Sequence, residues 1–206
     1  MTEANQPEQP QSEPTRKRPK PGERRLQILQ TMAGMLEEGS AERITTAALA
    51  AKLQVSEAAL YRHFASKAQM FEGLLEFIEQ TIFGLINQID AGSDRPGAKA
   101  RAMVMMLLNF AEKNPGMTRV LVGDAIVFEH VRLQQRVNQL IDRAQASIRQ
   151  SLKLAQASGQ TTMEPSLLAS LAMGFVLGRW LQFAKTNFTE KPTQSAAEIV
   201  AAMLPA

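Results

Sequence analysis

Residues 44–71, ITTAALAAKLQVSEAALYRHFASKAQMF, decide how this chain is read. Thr45 or Thr46 is placed to cap a short helix, its side-chain oxygen taking one of the orphan N–H groups at the helix start. Leu49 and Leu53 then fall four residues apart on one face. The pattern breaks at Leu53-Gln54-Val55-Ser56, and Ser56 is placed to cap a second short helix, Glu57 to Phe64. Leu60 and Phe64 share its inward face. Ala58, Tyr61 and Arg62 share the outward one, with Glu57 beside them in the first turn. Ser66 and Gln69 form a Ser-x-x-Gln capping box that opens a third helix. Two short helices meeting steeply at a tight turn are a helix-turn-helix. The outward face of the second carries small, hydroxyl and cationic side chains, which suits the DNA major groove. Periodicity alone leaves an ordinary helical hairpin open.

Charge is concentrated around that stretch. The 206 residues carry a formal net charge of +3, but residues 1–15 hold three acids and no base. Residues 16–67 hold ten Lys/Arg against five acids, and the remainder is nearly balanced. Positive charge gathered at a helix-turn-helix is the footprint of phosphate binding; a solvated charge run is the alternative. With no cysteine, a disulfide framework, a thiolate nucleophile and a Cys-based zinc site are excluded. No apolar run approaches the roughly 18 residues that span a bilayer, since Arg179 stops the longest uncharged run, Pro165 to Gly178. No membrane association is expected, and the absence of an apolar signal region after Met1 points to the cytoplasm.

The segment 1–21 is rich in Pro, Gln, Glu and Ser and cannot bury a core, so a disordered arm is expected. Its end is basic (Arg16, Lys17, Arg18, Lys20) and leads into Arg24 and Arg25. Such an arm either follows DNA into the minor groove or serves as a solubilising tail. A first helix is expected over Gly22 to Glu38, with Leu26, Leu29, Ala33 and Leu36 inward. A fourth, Lys67 to Ile89, carries Phe71, Leu74, Leu75, Ile78, Ile82, Leu85 and Ile89 at helical spacing. Phe77 and Phe83 lie off that stripe, either packed on a second side or offered to a partner.

Asp90 to Pro96 is a breaker-rich loop. Beyond it the pattern predicts helices over Gly97 to Lys113, Met117 to Val122, Asp124 to Ala157 and Pro165 to Phe188, and a short closing one over Ala196 to Leu204. The Asp124 to Ala157 helix keeps Leu133, Val137, Leu140, Ala144, Ile148 and Leu152 on one stripe. The Pro165 to Phe188 helix has Ala169, Ala172, Gly174 and Gly178 as small residues that let another helix approach. Together these two read as a four-helix dimer interface, or else as packing within one subunit. The fold class is all-α, with a DNA-binding domain over 22–70 (the motif at about 45–64) and a larger helical domain over 71–206.

Enzymatic signatures are missing. There is no Gly-rich phosphate loop, no Gly-x-Ser-x-Gly nucleophile elbow, and no His-Glu-x-x-His. His63 belongs to the reading motif, and His130 stands far from it without ligand spacing. Glu72, Glu76 and Glu79 read as a solvated helix face. No catalytic residue, metal site or cofactor is expected.

Leu49-Ala50, Val55-Ser56, Leu60-Tyr61-Arg62-His63-Phe64 and Ser66-Lys67 together resemble the DNA-binding domain of TetR-type regulators. Gln54 departs from the glycine usual there, so the turn is either regular or slightly strained, at a cost of about 1 kcal/mol. The resemblance implies a twofold homodimer on double-stranded DNA, with reading helices about 34–36 Å apart. Thr45, Thr46, Tyr61 and Lys67, and more weakly Lys52, are then expected at phosphates. Ser56, Glu57, Ala58, Ala59 and Arg62 are expected near base edges, and His63 within the motif. Glu57 must be offset by a cytosine amino group or by the helix N-terminus.

A second resemblance covers 24–155. SEAALYRHF (56–64), LLEFIE within 71–79, EKNPGMTRV (112–120) and VFEHVRLQQRVNQLI (127–141) are similar to the nucleoid occlusion factors within the TetR-type proteins. It implies a nucleoid-associated, palindrome-binding division inhibitor that antagonises assembly of the tubulin homologue FtsZ. The FtsZ contact is implied at Phe77, Lys113 and Asn114, while Leu85 and Asn109 depart from the arginine and glycine of relatives. The alternative is a ligand-responsive repressor with a polar-lined pocket in the larger domain.

Overall fold

The computed structural model describes residues 22–38, 44–126 and 131–206. The basic arm before Gly22 and His130 lie outside them. Among the described residues the chain is helical throughout: α1 (Glu23–Glu37), α2 (Thr46–Lys52), α3 (Glu57–Tyr61), α4 (Lys67–Ala91), α5 (Pro96–Lys113), α6 (Pro115–Leu121), α7 (Val131–Ala157), α8 (Pro165–Lys185) and α9 (Ala196–Met203), with a single 3-10 turn at Asp124–Ile126.

Caps set most of the boundaries. Thr45, Ser56 and Ser66 stand in extended conformation ahead of α2, α3 and α4, each accepting from the N–H three residues on. Gln69 closes the box at α4 with a twist on the expected form: its Oε1 accepts from Ala65 N at 2.9 Å rather than from Ser66 N. Glu164 caps α8, accepting from Leu167 N at 2.8 Å, and Pro165 follows at the first position, where a missing N–H is harmless. Hydrogen bonds from the Ser166 and Leu167 backbone hold the Glu164 carboxyl below its ordinary pKa.

One buried core runs through the chain. Ile28, Met32, Phe64, Phe71 and Leu74 join the head to α4, whose inner row continues through Ile78 and Ile82 into the body formed by α5, α7 and α8. The α7 stripe is buried as its spacing requires, from Leu133 to Leu152. Trp180 sits 1% exposed and donates from Nε1 to the Leu107 carbonyl at 3.2 Å, fastening α8 to α5. Between α4 and α7, Arg136 grips Glu79 through Nη2 (2.8 Å) and Nε (3.1 Å) and donates to the Glu72 carbonyl at 3.2 Å. The hydrogen bond to Glu79 is the main reason its pKa is raised. The acidic face of α4 is therefore partly an inter-helix clamp, not only a solvated surface.

Several expectations need correction. Leu26 is 41% exposed, and Ile28 and Met32 take the inward face of α1 instead. Residues two apart on a helix point about 200° apart, so a stripe through Ile28 turns Leu26 outward. The reading helix α3 stops at Tyr61, with Arg62 as its C-cap, rather than reaching Phe64. On α4, Ile86 is buried where Leu85 and Ile89 were expected to be, and the helix runs on to Ala91. Gly123, at φ 83, separates α6 from the 3-10 turn at Asp124–Ile126, so the helix expected to run from Asp124 does not start there as an α-helix, and α7 is described from Val131. Its 27 residues make it about 40 Å long.

The small residues of α8 do not form one face. Ala169 and Ala172 are buried within the subunit, whereas Gly174 and Gly178 face outward with nothing within 4 Å of an added Cβ. By length and mean hydropathy (1.4 over an 18-residue window) α8 also passes the test for a membrane span, which a count of uncharged residues missed because Arg179 interrupts it. In the fold it packs on α5 and α7.

Candidate nucleic-acid interface

The turn between α2 and α3 is built by backbone hydrogen bonds. Val55 N donates to the Ala50 carbonyl and Gln54 N to the Ala51 carbonyl, both at 3.0 Å. This pair of bonds is a Schellman closure, which needs a left-handed residue after the helix. Gln54 supplies it at φ 55. The turn is thus the strained form, and a non-glycine residue there costs about 1 kcal/mol. Val55 packs against the core just beyond it.

Around that turn none of the expected DNA-facing residues is fully buried. Thr45, Lys52, Ser56, Glu57, Ala58, Tyr61, Arg62 and His63 are exposed, and Thr46, Ala59 and Lys67 half-buried. Several are held in place. Tyr61 OH donates to Thr46 Oγ1 at 3.4 Å, and Thr46 Oγ1 donates onward to Glu57 Oε2 at 2.6 Å. The relay links the first residue of α2 to the first turn of α3 and fixes the carboxylate that would otherwise swing freely. Lys52 is paired with Glu38 at the end of α1, so its ammonium reaches a phosphate only by leaving that partner. Arg62 bonds no described residue and is free to reach.

Arg25 has a contact that sequence reasoning missed. On α1, where the basic arm leads in, it lies over the Phe64 ring (4.1 Å to the centroid) and donates from Nη1 to the His63 carbonyl at 3.1 Å. It braces the segment after α3 against α1. A contact between residues 38 apart has no local signature.

The other expected surface lies on α4 and α5, joined by the short loop 92–95. Phe77 is about 20 Å along α4 from that loop and Lys113 about 25 Å along α5, at 1.5 Å per residue. Both therefore stand toward the end that carries the head. Phe77 is half-buried against the core, Lys113 exposed and without a described partner. Asn114 is structural at this junction: Nδ2 donates to the Phe110 carbonyl at 2.7 Å, and its own carbonyl accepts from Thr118 Oγ1 at 3.0 Å. Leu85 is half-buried, and Asn109 donates to the Met105 carbonyl on its own helix. Phe83, the second off-stripe ring, packs on the core under the Arg143 guanidinium at 4.0 Å.

Comparison with known proteins agrees with this geometry. Residues 28–74 match the model of the tetR family of bacterial regulatory proteins, and residues 98–203 the SlmA-like model of the tetracyclin repressor-like C-terminal domain. The nucleoid occlusion factor SlmA of Idiomarina loihiensis is 46% identical over 173 residues, covering 83% of this chain and 88% of that protein. SlmA of Escherichia coli K12 (DH10B) is 47% identical over 174 residues, covering 82% and 87%. In fold, the fatty acid degradation regulator FadR of Bacillus halodurans superposes with a TM-score of 0.73 at 12% identity, covering 88% of this chain and 95% of that one. The helix-turn-helix head, the helical body behind it and the extent of this identity make the chain a DNA-binding member of the nucleoid occlusion factor SlmA family, within the TetR-type proteins.

Proposed function

We propose that the protein binds palindromic chromosomal sites as a homodimer and, so placed, antagonises FtsZ assembly over the nucleoid in the cytoplasm. The observation that carries this is the identity to relatives named nucleoid occlusion factor, which runs through the body as well as the head. A head conserved alone would support only DNA binding.

The dimer reading rests on the outer face of α8. Leu167, Leu171 and Leu181 are exposed there beside the bare Gly174 and Gly178, an apolar strip over which a second α8 can lie closely. With α7 packed alongside, two subunits form a four-helix interface. On the DNA side, Thr45, Tyr61 and Lys67 hold phosphates, with Thr46 and Lys52 able to join them. Ser56, Glu57, Ala58, Ala59 and Arg62 approach base edges, with His63 at the margin. The Tyr61–Thr46–Glu57 relay aims the carboxylate as an acceptor, which matches a cytosine amino group. Thr46→Val keeps the shape of the side chain and removes the relay. Specific affinity is expected to fall about fivefold, near 1 kcal/mol for one hydrogen bond, with the fold unchanged; fluorescence anisotropy on the specific duplex measures it.

FtsZ enters through the family resemblance, with Phe77, Lys113 and Asn114 as its contact. A half-buried ring on α4 and an exposed lysine at the end of α5, both toward the head, suit an acidic, partly apolar segment. Among the described residues Thr118 and Ser151 are the only buried polar side chains, so the interior offers little to hold an enclosed effector. The test is light scattering of FtsZ with GTP, with and without the specific duplex. Assembly should be suppressed, and more strongly with DNA. Lys113→Glu should abolish that effect and leave DNA affinity unchanged. FtsZ assembly indifferent to the protein under both conditions would leave a repressor instead.

A further inference from the structure

Helix α3 has only five residues, too few to hold a helical shape without outside support. Its start is fixed by the Ser56 cap and its inner face by buried Leu60. Its exit is tight: the Leu60 carbonyl accepts from both His63 N at 2.8 Å and Phe64 N at 3.1 Å. The His63 carbonyl lies past the helix, outside its ladder, and it is this oxygen that accepts from Arg25 Nη1.

Phe64 is fixed from two directions. Gly73 of α4 comes so close that an added Cβ would stand 2.9 Å from Phe64 Cε1. The Arg25 guanidinium covers the ring from α1. Arg25 in turn stands on a firm support, because α1 buries Ile28, Leu29 and Met32 within the next two turns. The contacts use what separates arginine from lysine, a planar face that stacks on a ring and a rigid fork of donors in that plane.

Tyr61 ends α3 and Arg62 is its C-cap. The direction in which both side chains leave the helix therefore depends on where the chain is held at His63 and Phe64. We propose that Arg25 is a positioning residue for base recognition: it holds the exit of α3 so that Tyr61 and Arg62 meet the DNA in register, and it is not itself a phosphate ligand. The proposal rests on α3 as the reading helix and is independent of FtsZ.

Full-length Arg25→Lys and Arg25→Gln proteins are compared with the parent on the specific duplex and on a random-sequence duplex, by fluorescence anisotropy over a range of salt concentrations. Both variants should lose at least about fivefold in specific affinity, the low end for one base contact. Affinity for the random duplex, the slope of log K against log salt, and the melting temperature should change little. In the free proteins the Arg62 and His63 amide resonances should shift. A phosphate ligand would behave differently. Arg25→Lys would then bind as the parent does, and Arg25→Gln would lose equally on both duplexes, with the salt slope smaller by about 0.9 for each subunit. A brace for the fold alone would lower both affinities in parallel with the melting temperature. Either of these results, or an Arg25→Lys protein that discriminates between the duplexes as well as the parent, would overturn the proposal. A parent that does not discriminate between them would overturn the reading of α3 first, and this proposal with it.

Discussion

Gly116→Ala should loosen the DNA-reading head from the body and cost on the order of 3 kcal/mol, the upper end for one extra methyl in a packed interface. Gly116 sits in the first turn of α6 against α1, and a Cβ there would stand 1.9 Å from the Ala33 carbonyl oxygen and 3.1 Å from Glu37 N. Both neighbours are backbone, so no side chain can rotate away. α1 must move, and α1 is the helix from which Arg25 braces the segment after α3. The melting temperature and the affinity for specific DNA should therefore fall together. Unchanged values of both would show that α6 does not carry the head.

Trp180→Ala should be the most damaging core substitution, at about 3–5 kcal/mol for a buried tryptophan. The indole is 1% exposed and joins α8 to α5 through both its volume and the bond to Leu107. Trp180→Phe should cost much less. It keeps most of the volume, and the Leu107 carbonyl, being inside α5, still has its own helix partner. Denaturant unfolding followed by circular dichroism would rank the two. Equal and small losses would mean that α8 is not held through this ring. Trp180 is also the chain's sole tryptophan, so in the parent protein its fluorescence reports on the body alone.

What the sequence makes legible is local chemistry. Thr45, Ser56 and Ser66 announce three helix starts because capping depends on residues three apart, and the α7 stripe survives because one amphipathic face meets one core. The orientation of α1 was misread because Leu26 and Ile28 are equally apolar, and only the position of α4 and α6 decides which turns inward. The glycines and alanines of α8 look alike in sequence. Burial within the subunit takes the alanines, and solvent takes Gly174 and Gly178. Arg25 on Phe64, Arg136 on Glu79 and Gly116 on Ala33 each join residues from distant parts of the chain, and no spacing rule foretells them. Of the candidate site, the caps and the two short helices are legible in the sequence, but the internal relay is not: the bond from Thr46 to Glu57 exists only once the Gln54 turn brings α2 and α3 together.

The central claim is a twofold pair of reading helices matched to the pitch of DNA. Its most direct measurement is the mass and affinity of the complex on a palindrome selected from random-sequence duplexes, compared with the same half-sites moved apart by about half a helical turn, roughly 5 base pairs. The account predicts two chains on each palindromic duplex, bound tightly, and near-complete loss of that affinity on the offset duplex. A single chain per duplex, or equal affinity for the palindrome, the offset duplex and random sequence, would contradict it.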